Sequence, residues 1–271
     1  MSIASHEFLP QVIAIAKAAG AVIMQVYSTE FSSIKKQDNS PLTQADLAAH
    51  HVILESLNAL TPDIPVVSEE AEIATYEQRQ HWQRFWLIDP LDGTREFLKR
   101  NGEFTVNIAL IENHQSILGV VYAPASEQLY YAAHGHGAFK QLKSEPPKPI
   151  TTKPFDINKL VIAGSRSHSD EKIQKFIKNI NRHHGAMPEL LSLGSSLKIC
   201  LVAEGIADVY PRLGPTFEWD TAAAHCVLSE AGGDIVDTNQ QSLRYNWQES
   251  LLNPFFFATN HPKHTWDLYI E

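Results

Sequence analysis

Apolar residues at Phe8, Val12, Ile15, Ala19, Val22 and Val26 recur at steps of three and four. That spacing predicts an amphipathic helix from about residue 5 to about residue 27. A polar stretch with Lys35, Lys36, Asp38, Asn39 and Pro41 interrupts the pattern. A second helix is predicted to start near Thr43, with Leu47, Leu54 and Leu57 on its inner side and Pro62 as its stop.

Beyond Pro62 the period changes. Short runs rich in Val, Ile and aromatics follow at Ile64 to Val67, Phe85 to Ile88, Thr105 to Ile111, Ile117 to Tyr122 and Leu129 to Ala132. Turn residues such as Glu112-Asn113 and Ala123-Pro124 separate them, which predicts antiparallel strands joined by hairpins. A linker marked by Pro146, Pro147, Pro149 and Pro154 comes next. The pattern then alternates. Strands are predicted at Leu160 to Ala163, Ala207 to Tyr210 and Asp234 to Val236, and helices at Asp170 to Ile180, Leu197 to Glu204 and Asp220 to Ala231. Helices followed by strands, then an alternating half, imply an α+β segment over 1–155 and an α/β segment over 156–271.

Composition narrows the partners. The 271 residues are 44% apolar, enough for a real core, and the formal net charge is −9 with no basic run. Such a surface repels nucleic-acid polymers. A small phosphorylated substrate remains open, given cations inside the site to reverse the local sign. The two cysteines, Cys200 and Cys226, lack ligand spacing and read as reduced, partly buried thiols of a cytoplasmic protein. Glu7 and Lys17 interrupt the N-terminal apolar pattern, so neither a signal peptide nor a membrane span is expected there. The pairs His50-His51 and His183-His184 lack convincing ligand spacing and read as surface histidines.

Carboxylates carry the chemistry. The run Phe85-Trp86-Leu87-Ile88 delivers Asp89, and Pro90 is expected to end a central strand. Asp89-Pro90-Leu91-Asp92-Gly93-Thr94 then gathers two carboxylates, a carbonyl and a hydroxyl on one loop, the hard oxygen ligands that magnesium takes. An ordinary Asp-Gly turn accounts for that loop about as well. Glu69-Glu70 ends another strand, either as a solvated acidic loop or as a cation site. Asp220, in Glu218-Trp219-Asp220, precedes an apolar helix and suits an N-cap. Thr43-Gln44-Ala45-Asp46 fits a variant capping box, and capping and catalysis explain Asp46 equally.

Taken in order, Asp46, Glu69-Glu70, Asp89-Pro90-Leu91-Asp92-Gly93-Thr94 and Trp219-Asp220 resemble the inositol monophosphatase superfamily of lithium-sensitive phosphatases. Within it, Arg95-Glu96-Phe97 and the run Asn101-Gly102-Glu103-Phe104-Thr105-Val106-Asn107-Ile108-Ala109-Leu110 look like the bacterial 3′(2′),5′-bisphosphate nucleotidases of sulfur metabolism. The resemblance implies a layered αβαβα sandwich with the metal site between the halves. It implies two principal magnesium ions, one on Glu69, Asp89 and the Leu91 carbonyl, the other on Asp89, Asp92 and Asp220. A weaker third ion would meet Glu69 through water. Thr94 and Asp46 would orient and deprotonate the attacking water, with Glu69 also in the catalytic set.

The same resemblance implies that Glu69, Leu91, Asp92, Gly93, Thr94 and Asp220 bind the substrate. His168, Ser195, Lys198 and Arg212 would contact adenosine and its second phosphate. Read as residues alone, Ser167 or Ser169 and Ser195 suit helix caps, and Lys198 and Arg212 suit surface charges, but caps alone do not explain why Lys198, Arg166 and Arg212 follow turns in the same half. The implied reaction turns adenosine 3′,5′-bisphosphate into AMP and phosphate, with phosphoadenylyl sulfate as a second substrate. The rival readings are an inositol phosphate or fructose 1,6-bisphosphate phosphatase, and a non-catalytic protein that binds divalent cations. The resemblance also allows a peripheral place at the inner membrane, and the pattern is silent on oligomeric state.

Overall fold

The computed structural model describes residues 5–29, 33–35, 41–164 and 171–270. From the N-terminus the elements are α1 (Leu9–Tyr27), β1 (Ser33–Lys35), β2 (Pro41–Thr43), α2 (Gln44–Leu60), β3 (Val66–Ser68), α3 (Tyr76–Arg79), β4 (Arg84–Asp92) and α4 (Thr94–Leu98). Then come β5 (Thr105–Glu112), β6 (Gln115–Ala123), β7 (Gln128–Ala133), β8 (Ala138–Leu142) and β9 (Lys148–Ile150). The remainder adds β10 (Val161–Gly164), α5 (Glu171–His184), β11 (Glu189–Ser192), α6 (Leu197–Ala203), β12 (Val209–Arg212), α7 (Glu218–Glu230), β13 (Asp234–Asp237) and β14 (Phe256–Thr259).

Strand alternation builds the layers. In the seven-stranded sheet, in sequence order from β3 to β9, Trp86, Ile88, Ile108, Leu110 and Val120 face α1 and α2. Their neighbours Phe85, Leu87, Ala109, Ile111 and Val121 face α6 and α7. The second sheet runs β11-β10-β12-β14-β13. It packs Ala163, Tyr210, Ile235, Phe256 and Ala258 onto the other side of those helices. Its outer face, with Ile162, Val209, Val236 and Phe257, receives Phe176, Ile177 and Ile180 of α5 and the C-terminal Trp266 and Tyr269. The result is the layered αβαβα sandwich.

Helix α7 lies between two sheets, and so almost all of its residues are buried. Close approach is the condition for this. A Cβ on Gly119 of β6 would sit 2.0 Å from the Ala223 carbonyl oxygen, so only glycine lets the strand and helix touch there.

Several expectations are corrected. On α2 the inner stripe is Ala45, Ala49, Ile53 and Leu57, with Asp46 and His50 beside it. Leu47 is exposed and Leu54 half-buried, because small alanines bring the helix in on a different face. On α1, Ala16, Gly20 and Ile23 are buried, while Val22 and Val26 are half-buried. Ser5–Tyr27 is long and apolar enough to cross a membrane by length and composition, and here its inner stripe packs on the first sheet. Pro90 does not end β4, which passes it through a bulge between Asp89 and Asp92. The proline-marked linker contains β9, where Pro149 occupies an edge strand that needs no donor on its free side.

Strands β8, β11 and β14 were not anticipated, and Arg212 ends β12 rather than following it. The polar stretch after α1 holds the β1–β2 ribbon, while Lys36, Asp38 and Asn39 lie outside the described residues. Both cysteines are fully buried, and His50 is buried rather than exposed, its Nδ1 2.9 Å from Ser68 Oγ.

Gly119→Ala should cost about 1–3 kcal/mol of stability, the usual range for overpacking a tight contact. Urea unfolding of the two proteins reads this directly, and an unchanged midpoint would show that β6 and α7 are free to separate.

Candidate active site

Parallel pairing of β3 with β4 places Ser68 beside Ile88. The chain therefore delivers Glu69 and Asp89 together at one sheet end, where the Glu69 N–H donates to the Ile88 carbonyl over 3.3 Å. The first turn of α7 adds Asp220 from the other side. Carboxylate oxygens of Glu69, Asp89 and Asp220 all lie within 4.8 Å of one another. Asp220 is not the N-cap. The helix starts two residues earlier, and Asp220 Oδ2 reaches back to accept the Phe217 N–H over 2.9 Å.

Like charges this close, with Asp89 buried and Glu69 and Asp220 half-buried, favour the protonated form. Burial first, then Glu69, Asp92, Asp220 and Glu70, pushes Asp89 well above the usual carboxylate range. Asp220 is raised chiefly by burial, then by Asp92 and Glu69, against the opposing pull of the Phe217 N–H and Arg212. Asp92 is also raised by burial, with Lys198 and the Ser196 hydrogen bonds opposing. Hard oxygen donors clustered under such repulsion fit a divalent cation such as magnesium.

Asp92 stands apart from the three-carboxylate set. Its Oδ2 accepts from the Ser196 N–H over 2.6 Å, from Ser196 Oγ over 2.7 Å and from Asn107 Nδ2 over 3.5 Å. Ser196 Oγ is also 2.7 Å from the Asp220 carbonyl and accepts from Asn107 Nδ2 over 2.8 Å. Sequence reasoning assigned no role to Ser196 or Asn107. The signal was present, since Asn107 is a lone amide inside the apolar run Val106 to Ile111.

Gly93, at φ +92°, turns the chain into α4 and presents Thr94. Thr94 Oγ1 donates to Asp46 Oδ1 over 3.3 Å, with the Leu91 carbonyl at 3.4 Å. The other Asp46 oxygen closes a capping box. Oδ2 accepts from the Thr43 N–H over 2.7 Å and from Thr43 Oγ1 over 2.6 Å, while Thr43 Oγ1 takes the Ala45 N–H. The capping reading of Asp46 holds through Oδ2, and its Oδ1 is tied to Thr94 at the same time.

A cavity of about 310 Å³ joins these groups to the second half. Glu69, Asp89, Leu91, Asp92, Gly93, Thr94 and Asp220 line it, together with Ser195, Lys198, Tyr210, Arg212 and Trp219. Lys198 is only 6% exposed, and its Nζ donates to the Ser195 carbonyl over 2.6 Å and lies 5.1 Å over the Tyr210 ring. It is therefore no surface charge. Arg212 is half-buried, and Nη2 donates to the Pro215 carbonyl over 2.8 Å. Ser195 does not cap α6. It adopts φ +50°, and Ser196 precedes the helix without a side-chain cap bond. Ser195 Oγ and Arg212 Nε are buried without a hydrogen-bond partner among the described residues. Arg166, Ser167, His168 and Ser169 lie outside the described residues.

The αβαβα sandwich with acidic oxygens converging beside its two sheets is the fold of the sugar-phosphatase type. The chain belongs to the inositol monophosphatase family, whose sequence profile matches residues 5–268. It is 50% identical over 259 residues to the 3′(2′),5′-bisphosphate nucleotidase CysQ of Salmonella typhimurium, covering 93% of this chain and 99% of that protein. CysQ of Escherichia coli K12 is 49% identical over 256 residues, covering 92% and 98%. The crystal structure of CysQ from Bacteroides thetaiotaomicron, a bacterial member of the same family, superimposes with a TM-score of 0.82 at 41% identity. That match covers 94% of this chain and 98% of the other.

Without metal, the raised values of Asp89, Asp92 and Asp220 mean that the folded chain holds protons more tightly than the unfolded one. Their contribution to stability is full below the ordinary carboxylate range of about 4 and is lost as pH rises through the raised values. In EDTA, Asp89→Asn should therefore melt above wild type at about pH 8, with the gap closing towards about pH 5. Added magnesium should raise Tm in the wild type alone. Equal melting of the two metal-free proteins at the higher pH would contradict the repulsion.

Proposed function

We propose that this chain is a magnesium-dependent 3′(2′),5′-bisphosphate nucleotidase that converts adenosine 3′,5′-bisphosphate into AMP and phosphate. One observation carries the reading. The cavity that holds the carboxylate cluster also holds buried Lys198 and two polar atoms with no hydrogen-bond partner among the described residues, Ser195 Oγ and Arg212 Nε. Buried polar atoms are rarely left unpaired, so donors here await an anionic or polar ligand. A substrate with two phosphates satisfies both ends, and identity of 50% to a protein of that activity agrees.

In this reading Glu69, Asp89 and the Leu91 carbonyl would hold one ion, and Asp89, Asp92 and Asp220 would hold another. Bound cations would supply the positive charge that offsets the phosphate dianion and favours deprotonation of the attacking water. Thr94 accepts a proton from the attacking water as its own proton passes to Asp46 Oδ1. The water oxygen then bonds to phosphorus as the bond to the ribose 3′-oxygen breaks in line, and the departing 3′-oxygen takes a proton from solvent water. Asp46, 1% exposed and outside the cavity lining, reaches the water only through Thr94. Ser195, Lys198 and Arg212 hold the phosphate that stays, and phosphoadenylyl sulfate fits the same two ends. Two buried reduced thiols agree with a cytoplasmic protein.

Phosphate release from adenosine 3′,5′-bisphosphate, inositol 1-phosphate and fructose 1,6-bisphosphate, with and without magnesium, tests the reading. Fast turnover of the nucleotide alone is expected. A chain that binds magnesium and turns over none of the three is a cation-binding protein.

Thr94→Ala and Asp46→Asn should each slow the chemical step by roughly 10²- to 10⁴-fold. The double variant should be little worse than either, because the two act as a unit. Asp46→Asn should also lower Tm, since the same carboxylate closes the α2 cap. Multiplicative losses in the double variant would separate the two residues.

Lys198→Ala should lower kcat/KM for the bisphosphate about ten- to hundredfold more than for 2′-AMP, the range for losing one charge-assisted contact. An unchanged ratio of the two values would remove Lys198 from substrate choice.

A further inference from the structure

Ser195 lies at φ +50°, in the left-handed region that is unfavourable for an L-residue with a side chain. Hydrogen bonds hold the chain on either side of it. Downstream, the Ser196 N–H is taken by Asp92 Oδ2 over 2.6 Å. Upstream, the Gly194 N–H is taken by Glu103 Oε2 over 2.9 Å. One carboxylate therefore grips each flank of Ser195.

Packing reinforces the upstream grip. A Cβ on Gly194 would lie 2.6 Å from Glu96 Cγ and 2.7 Å from the Glu103 carbonyl oxygen. The same Glu103 carbonyl lies 3.1 Å from where Gly93 would place a Cβ. Residue 103 is thus wedged between the loop that presents Thr94 and the segment that presents Ser195. Glu103 itself is set by its own N–H, which donates to Asn101 Oδ1 over 3.0 Å. Glu103 is not among the residues lining the cavity, so it acts through another group.

We propose that Glu103 is a positioning residue for substrate choice. Its carboxylate on the Gly194 N–H fixes Ser195, and the Ser195 carbonyl in turn fixes Lys198 Nζ at 2.6 Å. An acidic residue of the first half thereby sets the geometry of anion-recognising groups in the second. The proposal rests on the reading above that Ser195 and Lys198 meet the uncleaved phosphate. Without the grip, Ser195 relaxes from the left-handed region, and Lys198 loses the acceptor that aims its ammonium group.

The test pairs Glu103→Ala with Glu103→Gln, which keeps an acceptor oxygen for the Gly194 N–H. Steady-state rates on adenosine 3′,5′-bisphosphate and 2′-AMP are measured at saturating magnesium. Amide hydrogen exchange across residues 193–198 is followed in the magnesium-free proteins. In Glu103→Ala the ratio of kcat/KM values should fall about tenfold, the worth of one good hydrogen bond to a charged group, and mostly through KM. Exchange at 194–196 should quicken, and Glu103→Gln should restore most of both. Equal losses on the two substrates, or unaltered exchange, would overturn the proposal. If Glu103→Ala does not fold, Glu103→Asp carries the same expectation in smaller measure, since it withdraws the carboxylate by one methylene. A wild type with no preference for the bisphosphate removes the nucleotidase reading and Glu103's part in substrate choice with it. The exchange arm then still reports whether Glu103 holds the segment.

Discussion

Acidic side chains from β3, β4 and α7 are brought together at one end of the first sheet, beside the helix layer between the sheets, and much of the architecture serves to hold them there. Parallel pairing of β3 with β4 sets Glu69 beside Asp89. Helix α7 brings Asp220 up from the layer between the sheets. That helix can lie there only because Gly119 lets its backbone touch β6. Burial and mutual repulsion then raise the protonation range of Asp89 and Asp220, which makes the cluster a ready acceptor for divalent charge.

A common device recurs at these carboxylates. Asp46, Asp89, Asp92 and Asp220 each use one oxygen to take a backbone N–H. Asp46 Oδ2 closes the α2 cap, and Asp89 Oδ1 accepts the Leu91 N–H over 3.0 Å. Asp92 Oδ2 anchors Ser196, and Asp220 Oδ2 accepts the Phe217 N–H. Asp46 Oδ1 also accepts from Thr94 Oγ1, so one carboxylate joins the α2 cap to the loop that carries Thr94. Substitution at Asp46 disturbs both contacts.

The two halves are also tied by groups that never meet the cavity contents. Glu218, whose carboxyl is pushed up to about 7 by burial, accepts the Asn246 N–H over 2.7 Å. Asn246 in turn binds buried Arg79 of α3 through both its amide oxygen and its amide nitrogen. This pins the start of α7, two residues before Asp220, to the first half of the chain. Glu103 makes the corresponding tie on the other flank, at Gly194.

Local pattern was enough to reveal all the helices but short α3 and α4, most strands and the acidic motifs, because periodicity and turn chemistry are properties of neighbouring residues. The order of Asp46, Glu69, Asp89, Asp92, Thr94 and Asp220 was legible, and with it the family. Pattern failed where context overrides it. Edge strand β9 is written in prolines, α2 turns alanines inward and leaves Leu47 outside, and Lys198 is buried though lysine is ordinarily exposed. Pattern also set capping against catalysis at Asp46, when one oxygen closes the cap and the other is bound by Thr94, so the cap does not exclude the second role. Which oxygen does which, and that residues 69, 89 and 220 share one site at all, depends on strand pairing and helix docking across long stretches of chain. Those distances are fixed by packing between layers, and no local window of sequence carries them.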